Sequence, residues 1–256
     1  MSFQAPLVMG VLNVTPDSFS DGGKFVTLEA ALAQVKTMVD AGAQTIDVGG
    51  ESTRPGAERV SEQEELRRVI PVIEALAPLG VTISIDTMRA SVARAAVKAG
   101  ASIVNDVSGG KADPLMLETV AELKCRYILM HWRGHSANMA ALTEYSDLVH
   151  DVIAEMQVQI DRALKAGIER SLIAIDPGLG FSKNAEQNWE ILKNLESFKA
   201  LGYPILIGHS RKRFLGGDSP NDREEATVAL TQKLSTEGIW AVRVHNVAAN
   251  KEVVNS

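Results

Sequence analysis

The chain has 256 residues, 45% of them hydrophobic and 23% charged, with a formal net charge of −6. That apolar content suffices for a sizeable core and excludes a disordered chain, and the acidic balance speaks against a nucleic-acid surface, which carries a basic face. The single cysteine, Cys125, excludes an internal disulfide and fits a reducing compartment. The N-terminus lacks the basic-then-apolar pattern of a signal peptide, and no apolar run reaches the ~18 residues of a membrane span, so a soluble, cytoplasmic protein is expected.

In chain order, short runs rich in Val, Ile and Leu at 6–13, 44–48, 81–86, 102–105, 126–131, 172–176, 203–208 and 239–244 predict strands covered on both faces. Helix-period segments lie between them. Residues 28–41 set Leu28, Leu32, Val35 and Val39 on one side, with Gly42 as a C-cap. Residues 61–77 open with Ser61 and Glu64 at capping-box spacing. Segments 89–99, 146–166 and 223–237 stop at or just before Gly100, Gly167 and Gly238. After His245 there is room for a last helix of about two turns. Strand and helix alternate at ~30-residue intervals, the length of a βα unit, which predicts a parallel sheet with right-handed crossovers. Eight strands predict an α/β fold closed into a (β/α)8 TIM barrel, one domain over residues 1–256. An open doubly wound sheet would want a Gly-rich phosphate turn after its first strand, and Thr15-Pro16-Asp17-Ser18 is not one.

Polar residues gather where the strands stop: Asn13, Asp47, Asp86, Asn105, Asp106, His131, Asp176, Ser210 and His245. A parallel barrel brings all of its strand ends to one face. Any one of these groups would serve as a local cap, but several carboxylates facing one pocket imply a ligand that supplies donors. Asp47 and Asp106 each neighbour a better-placed residue and are assigned to the wall. Asp86 and Asp176 with Asn105 suit a flat heterocycle with a guanidine-like N–H edge, because an ionised carboxylate only accepts. Arg54, Lys212, Arg243 and His245 suit a phosphate or carboxylate, and loops after the last two strands of such barrels often hold phosphate. Arg213 is expected in solvent, His135 and His150 on the surface, and Trp132, Trp240 and Met130 in packing. No histidine or cysteine spacing makes a zinc site. Loops 15–23 and 49–56, rich in Gly, Ser and Pro, read as lids.

Two long motifs, Met9-Gly10-Val11-Leu12-Asn13-Val14-Thr15-Pro16-Asp17-Ser18-Phe19-Ser20-Asp21-Gly22-Gly23 and Asp47-Val48-Gly49-Gly50-Glu51-Ser52-Thr53-Arg54-Pro55-Gly56, stand in this order. Ile85-Asp86-Thr87, Val104-Asn105-Asp106, Met130-His131, Asp176-Pro177-Gly178-Leu179-Gly180-Phe181, Ser210-Arg211-Lys212 and Arg243-Val244-His245 follow. Over nearly its whole length the chain thereby resembles the dihydropteroate synthases of folate biosynthesis. The stretches 130–134 and 211–216 look most like actinobacterial members. The resemblance implies a transferase that joins (7,8-dihydropterin-6-yl)methyl diphosphate to 4-aminobenzoate, and a sulfonamide target. It implies that Asp86, Asn105, Asp176, Lys212, Arg243, Met130 and Phe181 hold the pterin. Asn13, Arg54, Arg243 and His245 would hold the diphosphate, with Asn13 the Mg2+ ligand. Phe19, Thr53, Pro55, Ser210 and Lys212 would form the aminobenzoate site, and Asp21 or Asp17 would steady a cation or the first loop.

The implied chemistry is an SN1-like loss of diphosphate, assisted by Arg54, Lys212, Arg243, His245 and Asp21. None of the motif serines has a paired base in the sequence, so no protein nucleophile is expected. The resemblance also implies a homodimer. Asn246 stands where the family usually has Asp, and the last helix is short. Two other readings share the pterin acids: a pterin-dependent methyltransferase serving a corrinoid protein, which needs no diphosphate cage, and an inactive paralogue that binds pterin without condensing it. A structural or interaction barrel would show apolar strand ends, unlike these.

Overall fold

Runs of β-branched residues form eight parallel strands among the described residues, which are 5–14, 28–52, 59–135 and 138–254 of the computed structural model. The strands are β1 Leu7–Asn13, β2 Thr45–Gly49, β3 Thr82–Asp86, β4 Ile103–Asp106, β5 Arg126–Met130, β6 Ile173–Asp176, β7 Leu206–Ile207 and β8 Ala241–Val244. They pair in the order β6-β5-β4-β3-β2-β1-β8-β7. A parallel bridge between Ile175 and Ile205 joins the two ends and closes the ring. The fold is the expected (β/α)8 barrel.

Alternation along each strand sends side chains either into the lumen or toward the surrounding helices. Met9, Ile103, Ile128, Ala174, Leu206 and Ala241 meet in the lumen as a separate apolar layer. The alternate residues, among them Ile46, Ile85, Val104, Tyr127, Ile175 and Val242, pack outward in the main core. Two residues further along, the inward positions become Asn105, Met130, Asp176, Gly208 and Arg243. The lumen is therefore apolar low down and polar at the C-terminal mouth. Each buried Val, Ile or Leu adds about 1.5–3 kcal/mol of burial free energy, which lets the mouth carry groups that add none.

The outer layer consists of α1 Leu28–Asp40, α2 Glu62–Leu76, α3 Ala90–Ala99, α4 Met116–Leu123, α5 Leu148–Lys165, α6 Ala185–Lys193, α7 Leu195–Lys199, α8 Glu224–Leu234 and α9 Val247–Val254. The expected α1 stripe is corrected. Leu28 and Val39 are 40% and 38% exposed, and Ala31, Val35 and Met38 are the buried face. At Gly10 on β1 a Cβ would lie 2.9 Å from Met38 Sδ and 3.0 Å from Val247 Cγ2, so the absent side chain leaves room for both on the buried side. At α2 only half of the capping box forms. Ser61 Oγ accepts from Glu64 N at 3.2 Å, but the Glu64 carboxylate turns to Arg67 and Arg68. A complete box opens α6 at Asn184 and Gln187. Helices α4, α6 and α7 had no sequence assignment.

Helix α9 has the expected two turns, eight residues. Asn246 Oδ1 accepts from Ala249 N at 3.3 Å, a helix-cap contact that Asn and Asp make about equally well. Within α9, Asn250 is fully buried and accepts from Thr231 Oγ1 at 2.5 Å. Among the described residues no helix is long and apolar enough to cross a membrane.

Candidate active site

Register decides which polar groups enter the mouth. Gly49 is level with Asn13 on one side and Asp86 on the other, Asp86 is level with Asn105, and Met130 is level with Asp176. Asp86, Asn105 and Asp176 are 7%, 3% and 5% exposed. Lumen glycines leave room between these groups. A Cβ on Gly49 would lie 3.8 Å from Asp86 Oδ2 and 3.9 Å from Asn13 Oδ1. One on Gly208 would lie 3.6 Å from Asp176 Oδ2 and 3.9 Å from Lys212 Nζ. Lys212 also donates to Leu179 O and sits 4.8 Å from the centre of the Phe181 ring. Phe181 packs against the small cluster of Met88, Val107 and Met130, an apolar wall at the mouth.

Arg243 lies at the centre of this arrangement. Its Nε donates to Asp47 Oδ2 at 2.5 Å and its Nη2 to Asp86 Oδ2 at 2.7 Å. Asn105 Nδ2 donates to the same Asp47 oxygen at 3.0 Å. This corrects the assignment of Asp47 to the wall: its position is inward, it is fully buried, and it orients both Arg243 and Asn105. Asp106 does belong to the wall. One step out of register, it accepts from Ser108 N, Ser108 Oγ, Gly110 N and Tyr127 Oη. Burial pushes Asp86 up to about 7 against the pull of Arg243, with Asp47 adding to the rise. Burial likewise raises Asp176, against Lys212, and draws Lys212 down to about 8, against Asp176.

Ser210 and His245 meet at the ends of β7 and β8. Ser210 Oγ lies 2.9 Å from His245 Nδ1 and accepts from His245 N at 3.2 Å. A motif serine therefore does have an imidazole partner, contrary to the sequence reading, because two strands distant in sequence close the ring side by side. His131 is also corrected. Met130 occupies the inward position, so His131 faces outward, fully buried, between Glu155 and Lys183. His135 stacks edge-on against Trp132 at 4.9 Å, while His150 is exposed beside Asp151. Trp240 packs under the Arg126 guanidinium at 5.0 Å, a packing role as expected.

Phe19, Asp21, Asp17, Thr53, Arg54 and Pro55 lie outside the described residues. Two charged clusters had no assignment in the sequence. Arg89 spans Glu51 and Glu65 beside Asp86, and Lys183 is buried behind His131. Nothing in the sequence marks either as paired, because their partners are 24 to 52 residues away.

No group of three or more His, Cys, Asp or Glu fit for a metal ion exists among the described residues. The mouth offers a neutral amide oxygen, Asn13 Oδ1, near Asp86. A single amide oxygen leaves the rest of a cation's shell to phosphate and water, an arrangement that Mg2+ accepts in phosphate-binding sites.

A model of the pterin binding enzyme family matches residues 9–245. The chain is 47% identical to the dihydropteroate synthase of Mycobacterium leprae over 99% of this chain and 93% of that one. The crystal structure of the Yersinia pestis dihydropteroate synthase with a sulfonamide drug complex is similar at a TM-score of 0.93 and 41% identity, over 100% of this chain and 94% of that one. That of the Xanthomonas albilineans dihydropteroate synthase with 4-aminobenzoic acid is similar at a TM-score of 0.92 and 42% identity, over 100% and 93%.

Proposed function

The chain belongs to the dihydropteroate synthases within the pterin-binding enzymes, and on that premise we propose that it condenses (7,8-dihydropterin-6-yl)methyl diphosphate with 4-aminobenzoate. The products are 7,8-dihydropteroate and diphosphate. The observation that carries this reading is the lumen triad Asp86, Asn105 and Asp176 beside Lys212 and Arg243. Buried carboxylates seek N–H donors, and the edge of a pterin supplies them. Met130 and Phe181 give its faces an apolar wall. Analogues lacking those N–H groups are rejected, because they leave the carboxylates unpaired.

The C–O bond to diphosphate breaks first. The electron pair leaves with the diphosphate oxygen, and the pterin methylene becomes a cation conjugated with its ring. Asp86 and Asp176 face the ring and stabilise that positive charge. Ser210 donates its hydroxyl proton toward His245 Nδ1, which fixes the imidazole tautomer with its proton on Nε2 for the leaving oxygens. Arg243 arrives already oriented by Asp47 and Asp86, so little reorganisation accompanies charge development. Asn13 would hold Mg2+ through its amide oxygen, and the ion when bound offsets the leaving-group charge. The amine of aminobenzoate then attacks the methylene, and its proton passes to the released diphosphate or to water. The residues outside the described set keep the roles the resemblance implies: Arg54 on diphosphate, Phe19, Thr53 and Pro55 on aminobenzoate, Asp21 near the cation.

A second reading follows from the Ser210–His245 pair, in which Ser210 Oγ displaces diphosphate from the methylene as His245 Nδ1 takes its proton, and the amine of aminobenzoate then displaces the serine oxygen, which recovers its proton from His245 while the amine proton passes to water. Ser210→Ala separates the two: a fall in kcat of about tenfold or less, from loss of the fixed His245 tautomer, supports the dissociative course, and a loss of three or more orders supports the serine. The first test of function is diphosphate release from purified protein with the pterin diphosphate and Mg2+. Release that depends on aminobenzoate, with dihydropteroate formed, supports the synthase. Tight binding without turnover returns the inactive paralogue. Near-normal turnover after loss of both Arg243 and His245 would sink the leaving-group account. A homodimer in the cytoplasm completes the proposal, and a single-chain mass by light scattering at micromolar concentration would remove the dimer.

A further inference from the structure

The loop from Pro177 to Lys183 carries several contacts of the pterin side. Gly178 N donates to Asp176 Oδ1 at 2.7 Å, Leu179 O accepts from Lys212, and Phe181 reaches the apolar wall. Its backbone is unusual: Gly178, Gly180 and Ser182 all have positive φ, at 72°, 75° and 49°. For Ser182 that region is disfavoured by roughly 1 kcal/mol, so side-chain contacts must hold it. Lys183, 7% exposed, turns back under the loop. Its Nζ lies 3.2 Å from Gly178 O, 3.2 Å from Phe181 O and 2.9 Å from His131 Nδ1. Three acceptors thus surround three N–H bonds, the full donor set of an ammonium.

The contacts continue away from the pocket and return to the loop. His131 Nε2 meets Glu155 at 3.0 Å, and Arg133 pairs with the same carboxylate. The Arg133 guanidinium lies 3.7 Å from the centre of the Tyr145 ring, and Tyr145 Oη donates to Ser182 O at 2.9 Å. The circuit begins at Lys183 and ends at its neighbour. Burial, then the Lys183 charge, hold His131 near 3, which keeps the imidazole neutral and its Nδ1 an acceptor. Burial draws Lys183 down to about 7, against Asp176.

We propose that Lys183 is a positioning residue for the pterin half of the site, acting through the 177–183 loop, with His131, Glu155, Arg133 and Tyr145 as its support. It touches no substrate. It sets where Leu179 O meets Lys212 and where Phe181 meets the ring. The inference rests on the synthase reading given above.

The test is steady-state kinetics of Lys183→Met, which keeps the apolar stem and removes all three donors. The KM for the pterin diphosphate is expected to rise about tenfold, with the KM for aminobenzoate moving less than threefold and kcat less than threefold. A merely structural role would lower the active fraction, reducing kcat and leaving both KM values in place, and that result overturns the proposal, as does an unchanged pterin KM. Tyr145→Phe cuts the far end of the circuit and is expected to shift the same KM in the same direction, by about threefold. Should Lys183→Met not fold, this variant alone decides, and an unchanged pterin KM in it overturns the proposal. Wild-type protein run alongside keeps the two questions apart, since absence of its own turnover speaks against the synthase reading and not against Lys183.

Discussion

Asp86 and Lys212 bring opposite ionisation demands to one ligand. Asp86 must be ionised to accept N–H bonds, so pterin affinity rises as pH climbs through about 7. Lys212 donates best when charged, so affinity falls as pH climbs through about 8. Titration calorimetry with a pterin that lacks phosphate should give a bell with its maximum between those values. Asp86→Asn should flatten the acid limb and weaken binding by ten- to a hundredfold, from the ~1.5–3 kcal/mol of a hydrogen bond to a charged group. Gly208 makes a separate test of the lumen space. A methyl there meets Asp176 Oδ2 at 3.6 Å, an ordinary contact, so the fold should tolerate it. Gly208→Ala is expected to lose about tenfold in pterin affinity, ~1.4 kcal/mol, with unchanged thermal unfolding. An affinity equal to wild type would mean the ligand does not use that space. Asp86, Asn105 and Asp176 were legible in the sequence because each ends an apolar run. Asp47 was not, since its neighbours looked better placed and only the barrel shows it bridging Arg243 and Asn105.

At the scale of elements, β2, β3 and α2 are held at the mouth by one guanidinium. Arg89, at the N-terminus of α3, pairs with Glu51 after β2 and with Glu65 in α2, and donates to Val60 O at 2.5 Å. Glu51 also accepts from Arg59 and from Val60 N. Thr87 donates to Glu65 at 2.6 Å, directly beside Asp86. Glu65 is 1% exposed, and burial raises its pKa against Thr87 and Arg89. Arg89→Met leaves both carboxylates without that partner. The expected cost is ~3 kcal/mol, the low end of the range for breaking a buried pair because the Arg89 side chain is 16% exposed. The unfolding midpoint should fall by about 6–12 °C for a chain of this size. A change under 2 °C in calorimetry would show that the cluster adds nothing to stability. Element existence was legible for α1, α3, α5 and α8, whose helix-period segments end at a glycine, and for α2, which opens on the Ser61 and Glu64 spacing. Helix α4 was not, since its C-cap is Lys124 at φ 51° rather than a glycine.

On the scale of the whole molecule, the barrel closes unevenly. β1 pairs with β2 over five residue pairs, whereas β6 and β7 meet through the single bridge Ile175–Ile205 and a bond from Ile175 N to Pro204 O of 2.8 Å. The seam lies between the strands that deliver Asp176 and Lys212. Hydrogen exchange should therefore be faster at Ile175 and Leu206 than at Ile46 and Val48, and pterin binding should slow the seam most, since a ligand held by both sides closes it. Equal protection around the ring would show that the helices, not the strand bonds, set local stability here.

Periodicity, turn residues and chain length were enough to settle the barrel, and strand-end chemistry was enough to mark a flat, donor-rich ligand beside an anion. Both follow from local rules: apolar alternation builds strands, and a parallel ring gathers their ends. Only the tertiary structure decided which polar groups point inward, because a one-residue change in register sends a side chain to the other face. That is why Met130 and Asn105 line the lumen while His131 and Asp106 do not. It also decided the pairings of Ser210 with His245, Arg243 with Asp47, and Lys183 with His131. Those pairs join residues 35, 196 and 52 positions apart, and their energies depend on burial that no local stretch of sequence displays.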